Sequence, residues 1–482
     1  MSKEGRRGIA DSGAAMLLDP APSFGEPRGT ASGKLDVVAL LTAYLFLLMF
    51  IPSTLVFSPL GGVGTPSMVF SLFICLWYIA SVTVGRISPS GGGQPIRVAM
   101  LAFFLAVLAS VVAGMTRAIT QVEALSADRG VIGVIAWAGL VVVVSRSVTT
   151  YGQLDKLLRR AVVFGAVVGA IGIFEYYSGI NVTNYIHIPG LSLRVDINTL
   201  QGRNGLNRPS STAIQPIEFG IVMAMLLPFA LQQAFDSART GGRIRKWLPV
   251  VLIGFAIPIT VSRSGIVGAL VGLIFLVPTW KPQRRRSFLA ACLVGLGAVK
   301  LAAPGLLGTL ITYFSGLFGG GNVAAGTDVS VGTRTADYSA AWQYIVQRPF
   351  FGRGFATFLP QVYRYTDNEY LHAMIEIGFV GLVVLLLVYL VGMHCAAAGR
   401  RRTQDEGRRD FGQAVVSSIV VAAVGSATFD SLSFPMYTGV LFLILGIAGA
   451  YLGIMTAESR SAIEAEMPTE RTRSYVGETS AS

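Results

Sequence analysis

Residues 366–381 have the sequence TDNEYLHAMIEIGFVG and continue without a break into the apolar stretch LVVLLLVYLVGM, residues 382–393. A second distinctive stretch, GTRTADYSAAWQYIVQRPFFGRGF, covers residues 332–355. Both mark a long polar segment, residues 304–370, that interrupts an otherwise strongly hydrophobic chain. Such a segment is typical of a membrane enzyme that works at the lipid–water boundary, and it is unusual in a transport protein.

The composition indicates a membrane protein. Of the 482 residues, 52% are hydrophobic and only 13% are charged, and the mean hydropathy is +0.61. A soluble protein carries about 25% charged residues. Here the charges fall in short runs between apolar segments, whose length matches the roughly 17–25 residues of a membrane-crossing helix. We therefore predict an all-α polytopic membrane protein.

Apolar windows of this length predict about twelve transmembrane helices, with a large loop before the tenth. The windows are residues 36–57, 62–84, 97–115, 127–145, 160–178, 213–234, 247–262, 264–280, 287–303, 371–398, 411–429 and 434–456. Together they form a predicted transmembrane catalytic domain, residues 35–456. The flanking segments, residues 1–34 and 457–482, are rich in small, polar and charged residues, which predicts disordered cytoplasmic tails.

The distribution of basic residues predicts the orientation, because Lys and Arg near the ends of spans are retained in the cytoplasm. With both termini inside, cytoplasmic segments hold 27 of the 38 Lys and Arg residues. The two longest outer loops are then residues 179–212 and 304–370. These scattered cytoplasmic runs explain the net charge of +12, so that charge does not indicate nucleic-acid binding.

Three arginines on the predicted outer side are candidate binding residues. Arg208 lies where the first outer loop meets the sixth window, Arg263 lies in the polar break TVSRSG, and Arg334 lies in the second loop. A charge at membrane depth costs about 3 kcal/mol or more, so Arg263 indicates a functional site. A guanidinium donates two parallel hydrogen bonds to phosphate, which suggests a pyrophosphate ligand. The alternative is that these side chains only extend to the interface or are solvated.

The second candidate cluster lies in DNEYLHAMIE, residues 367–376. Glu369, His372 and Glu376 are spaced i, i+3 and i+7 and share one helix face. Asp367 and Glu369 are then either capping residues or candidate general bases at the membrane surface. We assign His372 to substrate binding, with a core hydrogen bond to one of the two glutamates as the alternative. The histidines show no metal-ligand spacing, which predicts no bound metal. We also expect no cofactor.

Four segments together carry a family resemblance. They are RPSSTAIQPIEFG (residues 208–220), SRSG (262–265), GTR…W…RPFFGRG (332–354), and DNEYL followed by EIGFVG (367–381). In this order they resemble the bacterial O-antigen ligase and Wzy-type polysaccharide polymerase superfamily. The resemblance covers about residues 160–455 and implies a glycosyltransferase-C-like fold. It also implies a metal-independent inverting glycosyltransferase that acts on the extracytoplasmic side of the cell membrane.

The resemblance implies roles for particular residues and partners. Arg208 and Arg263 match arginines that hold the donor pyrophosphate, and Arg334 matches the arginine that opens the loop helix. The implied donor is a glycan on an undecaprenyl pyrophosphate carrier; the implied partners are a glycan acceptor, membrane lipids, a flippase and a chain-length regulator. Ligases carry His before the Asn of the last motif, where this chain has Asp367. This difference favours polymerisation of repeat units for exopolysaccharide or surface polysaccharide synthesis, with Asp367 or Glu369 as the base.

Two alternatives remain open from the sequence. An O-antigen-ligase-like enzyme would transfer a finished glycan once, to a lipid or protein acceptor. A polysaccharide or lipid-glycan transporter would place charged residues in the middle of spans, and many transporters are built from internal repeats. In this chain the polar residues cluster at the outer ends of the windows and no internal repeat is visible, so the sequence favours an enzyme.

Overall fold

Helices make up most of the described chain. The computed structural model describes residues 36–85, 94–194, 200–203, 205–236, 242–302, 305, 308 and 329–466. Its α-helices are α1 Val37–Phe50, α2 Pro66–Thr83, α3 Pro95–Met115, α4 Gln121–Ser147, α5 Tyr151–Ser178, α6 Pro216–Phe235, α7 Arg243–Ile259, α8 Arg263–Leu276, α9 Pro282–Ala302, α10 Val329–Gln347, α11 Glu369–Glu376, α12 Gly378–Arg401, α13 Glu406–Ser426 and α14 Pro435–Glu466. The 3₁₀ helices are Ser58–Gly64, Val182–Tyr185, Val277–Thr279 and Ser431–Ser433. Two short antiparallel pairs join β1 Leu55–Val56 to β2 Ser192–Leu193, and β3 Gln201–Arg203 to β4 Leu206–Arg208.

Every predicted window overlaps a described helix, which confirms the all-α polytopic membrane fold. Seven of the described helices are long and apolar enough to cross a membrane, namely α2, α3, α4, α5, α6, α12 and α14. Helix α1 and the stretch Arg263–Thr279, which contains α8, are apolar but shorter. The number of about twelve crossing helices therefore stays a prediction.

The tenth predicted window is not one continuous helix. It divides at Ile377 into the short helix α11 and the long helix α12. Gly378 has a φ of +67°, which a residue with a side chain rarely adopts, and a Cβ there would overlap the carbonyl oxygen of Phe350. The membrane-crossing helix therefore begins at Gly378, and α11 lies outside it.

The predicted tails and the second loop are described only in part. Helix α14 continues to Glu466, past the boundary predicted at residue 456. The predicted tail 1–34, residues 467–482 and almost all of residues 303–328 lie outside the described residues. Within the second loop, the described part contains α10 and the segment that follows it, residues 348–368.

Helices α6 and α14 are the most enclosed of the seven candidate spans. In their most apolar windows, 94% of the α6 residues and 83% of the α14 residues are buried, against 33–56% in the other five. Glycines bring neighbouring helices close: a Cβ on Gly446 of α14 would lie 2.7 Å from Val144 of α4. These two helices therefore provide the rigid scaffold to which the loops attach.

Loops that the predicted topology assigns to the same side contact one another. On one side, Ser53 N donates to Thr212 O (2.9 Å) and β1 pairs with β2. On the other side, Arg284 pairs with Asp410, and further ion pairs join Lys281 to Glu406 and Arg408 to Glu458. We call these sides the site end and the basic end. These contacts agree with the prediction that successive loops lie in turn on opposite sides of the membrane. Which side faces the cytoplasm stays a prediction.

Candidate active site

Buried glutamates fasten the loops of the site end. Five of them are at most 3% exposed, and each accepts a backbone N–H from a loop or a helix turn. They are Glu123, Glu175, Glu218, Glu369 and Glu376. A buried carboxylate is costly unless it is hydrogen-bonded, so these contacts fix the loops relative to the helices. Only Glu369 and Glu376 were candidates from the sequence; the other three are acidic residues in or near an apolar window, and that position was the one available signal for them.

Glu218 joins the two central helices. It lies in the first turn of α6, and its Oε2 accepts from Ile214 N (2.8 Å). Its Oε1 accepts from Met436 N (2.8 Å) and Tyr437 N (3.2 Å), in the first turn of α14. Because backbone N–H groups at a helix N-terminus have no partner within the helix, this carboxylate satisfies donors of α14 as well as one donor in the segment just before α6. The position of α14, and of the loop before it, therefore depends on Glu218.

Glu369 holds helix α11 against the loop between α13 and α14, residues 427–434, which we call the Asp430 loop. Its Oε2 accepts from Leu432 N (2.9 Å), and its backbone N–H donates to Phe429 O (3.1 Å). Burial raises the pKa of Glu369 to about 8, and the nearby His372 offsets only part of that rise. Burial likewise raises the pKa of Asp430 to about 6. Both carboxyls therefore titrate well above their usual range.

Asp367 differs from Glu369 in being exposed. The capping role belongs to the next residue, Asn368, whose side chain accepts from Tyr370 N (2.9 Å) and Leu371 N (3.4 Å). Asp367 makes no hydrogen bond to any residue that the structure describes, and it interacts electrostatically with Asp430. Of the two predicted bases, Asp367 is the one whose carboxylate is open to a substrate.

His372 is part of a buried network rather than an exposed ligand. Its Nδ1 lies 2.8 Å from Thr366 Oγ1, and its Nε2 lies 3.4 Å from Glu376 Oε1. Burial lowers the pKa of His372, but the carboxylates of Glu376, Glu369 and Asp430, with Glu376 first, together more than reverse that effect, and the pKa rises to about 9. Glu376 also accepts from Ala356 N (2.8 Å) and Phe358 N (2.9 Å). His372 thus forms a buried ion pair with Glu376, and substrate binding by His372 stays a prediction.

Arg208 and Arg263 meet at one turn. Arg208 Nε donates to Thr260 O (3.0 Å), three residues before Arg263, which begins α8. Val261 in this turn has a φ of +49°, a strained conformation for a β-branched residue. Strain of this kind costs about 1–3 kcal/mol and clusters at functional sites. We call residues 260–263 the arginine turn.

The arginine turn and the start of α14, which directly follows the Asp430 loop, are both attached to the beginning of α6. A Cβ on Gly220 would lie 3.0 Å from Thr260 Oγ1, and a Cβ on Gly265 would lie 3.2 Å from the carbonyl carbon of Gly220. Glu218, which holds the N-terminus of α14, is only two residues before Gly220. Two of the predicted arginines and the carboxylates of α11 are therefore supported by one end of one helix.

Arg194 is a further cation at this end that the sequence analysis did not select. Its guanidinium interacts favourably with the carboxylates of Glu218 and Asp430. Its backbone N–H donates to Thr54 O (2.8 Å), which continues the β1–β2 pairing. The first outer loop therefore also reaches the Asp430 loop.

Other arginines of the predicted outer side hold the structure together. Arg353 lies between the rings of Tyr344 and Tyr363, 4.9 and 4.7 Å from their centroids. Arg348 donates to Ala113 O at the end of α3. Arg334, the third predicted ligand, lies in α10, but its side chain is outside the described residues, so its role stays a prediction.

The raised pKa of Glu369 leads to a stability prediction. Between about pH 4.5 and 8 the folded protein keeps this proton while the unfolded chain releases it, so rising pH favours unfolding. A glutamine at this position would keep a hydrogen bond with Leu432 N without titrating. We expect the melting temperature of Glu369→Gln, relative to wild type, to rise from pH 5 to pH 9 in detergent. The exposed Glu464→Gln serves as the control; a relative melting temperature of Glu369→Gln that falls over this range would contradict the burial argument.

Comparison with known proteins gives one family match. Residues 248–386 match the family model Wzy_C, described as O-Antigen ligase. This range contains the arginine turn, α10 and α11, whereas Arg208, Glu218 and the Asp430 loop lie outside it. No curated protein matches the chain. The match confirms the resemblance inferred from the motifs: residues 248–386 of this multi-pass membrane protein are similar to the O-antigen ligase and Wzy superfamily, whose members are glycosyltransferase-like enzymes.

Proposed function

We propose that this protein polymerises oligosaccharide repeat units carried on undecaprenyl pyrophosphate, at the extracytoplasmic face of the cell membrane, during synthesis of an exopolysaccharide or another surface polysaccharide. The observation that carries the proposal is the joint attachment of the arginine turn and of the start of α14, which directly follows the Asp430 loop, to the first turns of α6. Transfer from a pyrophosphate carrier needs both a cationic group for the carrier and a carboxylate for the acceptor. The family match supports the coarser statement that a lipid-linked glycan is transferred to an acceptor.

Asp367 is the proposed general base. An acceptor hydroxyl oxygen attacks the anomeric carbon of the donor sugar, and its proton passes to the Asp367 carboxylate. The bond between that carbon and the carrier oxygen breaks, and its electron pair leaves with the pyrophosphate, which inverts the anomeric configuration. The exposure of Asp367 supports this role, whereas Glu369 is 2% exposed and already accepts the Leu432 N–H. General base assistance contributes about 10²–10⁴-fold in rate.

Arg208 and Arg263 are the proposed ligands of the leaving pyrophosphate. This group is a weak base, so it needs positive charge rather than a proton donor. Cationic groups that are fixed before the reaction stabilise the charge that develops on it. The hydrogen bond from Arg208 to Thr260 supports this role, since it fixes Arg208 beside the turn that carries Arg263. Arg334 and His372 complete the proposed donor site.

A ligase is the second candidate, because the family model is described as O-Antigen ligase. A ligase transfers a finished glycan to its acceptor in a single step, whereas a polymerase adds repeat units to the same glycan again and again. In the ligases that the motifs resemble, a His precedes the Asn of the last motif, and this chain has Asp367 at that position. The difference favours polymerisation. A transporter is not favoured, because the buried glutamates of the site end are all engaged in fastening loops.

Arg263→Ala tests the proposed pyrophosphate site. We expect the rate of glycan transfer to fall about 10²–10³-fold, the loss typical of removing one charge-stabilising donor. The measurement is polymer yield from lipid-linked repeat units with purified protein in liposomes. Arg402→Ala is the matched control, because Arg402 is exposed at the basic end and donates only to Thr456 Oγ1 among the hydrogen bonds of its described side chain. Equal yields from Arg263→Ala and Arg402→Ala would refute the proposed role of Arg263.

A further inference from the structure

Helix α5 carries a charged residue, Arg160, within one of the seven candidate spans. The last turn of this helix lies at the site end, because Glu175 there accepts from Ser211 N (2.8 Å). At a rise of about 1.5 Å per residue, Arg160 lies about 27 Å from Ser178, the last residue of α5. The hydrocarbon core of a bilayer is roughly 30 Å thick, so the guanidinium lies near its boundary at the basic end. A charge at this depth indicates a function.

Within the described residues, the Arg160 guanidinium hydrogen-bonds to a single hydroxyl. Its Nη1 donates to Thr42 Oγ1 of α1, and this hydroxyl donates to Val38 O (2.5 Å). The adjacent Arg159 is already paired with Asp155, whereas no described carboxylate forms an ion pair with Arg160. A guanidinium has several N–H donors, and removing a charge from water is costly unless the charge is paired. The remaining donors of Arg160 therefore suit an anionic ligand.

A second cation lies on the same face of α5. Lys156 is one helical turn nearer the basic end than Arg160, is exposed, and forms no ion pair with a described residue. A ligand that contacts both side chains meets two positive charges about 6 Å apart along the helix axis. Basic residues between spans bind phospholipid head groups. Two positive charges favour a head group with a net negative charge over a zwitterionic one.

An exposed apolar surface continues from Arg160 toward the centre of the membrane. Helices α1 and α5 contact each other, and both run from the basic end to the site end. One turn beyond the hydrogen bond of Arg160 lie Phe46 and Phe164, whose ring centroids are 6.4 Å apart. Val163 and Val167 follow on the face of α5 that carries Arg160. Phe46, Val163 and Val167 are 50%, 48% and 43% exposed, so an acyl chain can contact all three.

We propose that an anionic phospholipid binds where α1 meets α5 at the basic end. Its phosphate accepts from Arg160, Lys156 lies beside the rest of the head group, and an acyl chain extends along Phe46, Val163 and Val167. Charged and apolar residues thus follow one another along α5 in the order of head group and chain in a lipid. Free phosphate would leave the apolar surface uncovered, and a zwitterionic head group would bring its own ammonium to Lys156. The site lies at the opposite end of the protein from the arginine turn, so it does not depend on the proposed function.

The test measures lipid binding to the full-length protein in detergent micelles. Native mass spectrometry would give the dissociation constant of the first bound lipid for dioleoylphosphatidylglycerol, dioleoylphosphatidylcholine and dihexanoylphosphatidylglycerol, with inorganic phosphate as a competitor. These lipids separate the charge of the head group from the length of the chains. The variants are Arg160→Gln, which removes the charge, and Phe46→Ala, which removes exposed chain-binding surface. Arg402→Gln is the control, because Arg402 is an exposed cation of the basic end outside this surface.

We expect wild type and Arg402→Gln to bind dioleoylphosphatidylglycerol about tenfold more tightly than dioleoylphosphatidylcholine. Arg160→Gln should lose this preference. Phe46→Ala should weaken binding of the dioleoyl lipid and leave binding of dihexanoylphosphatidylglycerol unchanged, so it decides the question even if Arg160→Gln fails to fold. Equal wild-type affinity for the two dioleoyl lipids, or an unchanged preference in Arg160→Gln, would overturn the proposal. Displacement of the bound lipid by inorganic phosphate would indicate a simple anion site and would overturn it as well.

Discussion

Replacing Gly378 with alanine is expected to lower the free energy of unfolding by about 4 kcal/mol or more, because it combines backbone strain with overpacking. The left-handed conformation alone costs about 1–2 kcal/mol for a residue with a Cβ. That Cβ would also overlap the carbonyl oxygen of Phe350. Gly352, with a φ of +70°, faces the carbonyl of Glu376 in the same way. The two glycines let the segment after α10 lie directly on the junction of α11 and α12.

The measurement is the melting temperature and the yield of monodisperse protein in detergent. Gly352→Ala should behave like Gly378→Ala, because the same junction is disturbed from the other side. Gly254→Ala is the control: Gly254 lies within α7, and a Cβ there would meet nothing within 4 Å. Since alanine has the higher helix propensity, that variant should be as stable as wild type or more so. A Gly378→Ala protein as stable as Gly254→Ala would show that the junction is not closely packed.

Asp367→Asn is expected to lower the rate of glycan transfer about 10²–10⁴-fold, the contribution of a general base. Asparagine has almost the same shape but cannot accept the acceptor proton. Folding should be unaffected, because Asp367 is exposed and makes no hydrogen bond within the described part of the chain. Binding of undecaprenyl pyrophosphate should be retained, so the loss should appear in kcat. Full activity of Asp367→Asn would remove Asp367 as the base.

The sequence predicted the fold class well because the membrane imposes a strong pattern. Apolar windows bounded by basic runs follow from the cost of placing charge in the bilayer, and each of them overlaps a described helix. The break at Gly378 was not predicted, because hydropathy does not register backbone conformation. The left-handed φ of Gly378 and its close contact with Phe350, 28 residues earlier in the chain, together explain why glycine occupies this position.

For the site, the motifs selected residues but not their roles. Arg208 donates to Thr260, three residues before Arg263, while the binding of pyrophosphate by these arginines and by Arg334 stays a prediction. The sequence did not reveal the roles of the buried glutamates, because their carboxylates accept hydrogen bonds from backbone N–H groups that are distant in the sequence. Glu218 accepts from the start of α14, and Glu369 accepts from Leu432. Helix periodicity placed Glu369 on the face of His372, yet it could not show that Asn368 provides the cap and leaves Asp367 exposed.

The most direct test is the length distribution of glycans formed by the purified wild-type protein in liposomes from a defined repeat unit on undecaprenyl pyrophosphate. A ladder of products that grows by one repeat unit per step, with release of undecaprenyl pyrophosphate, is the predicted result, and Asp367→Asn should abolish it. Transfer of a single block to another acceptor would favour the ligase. No transfer by folded wild-type protein that binds the donor would contradict the proposed function.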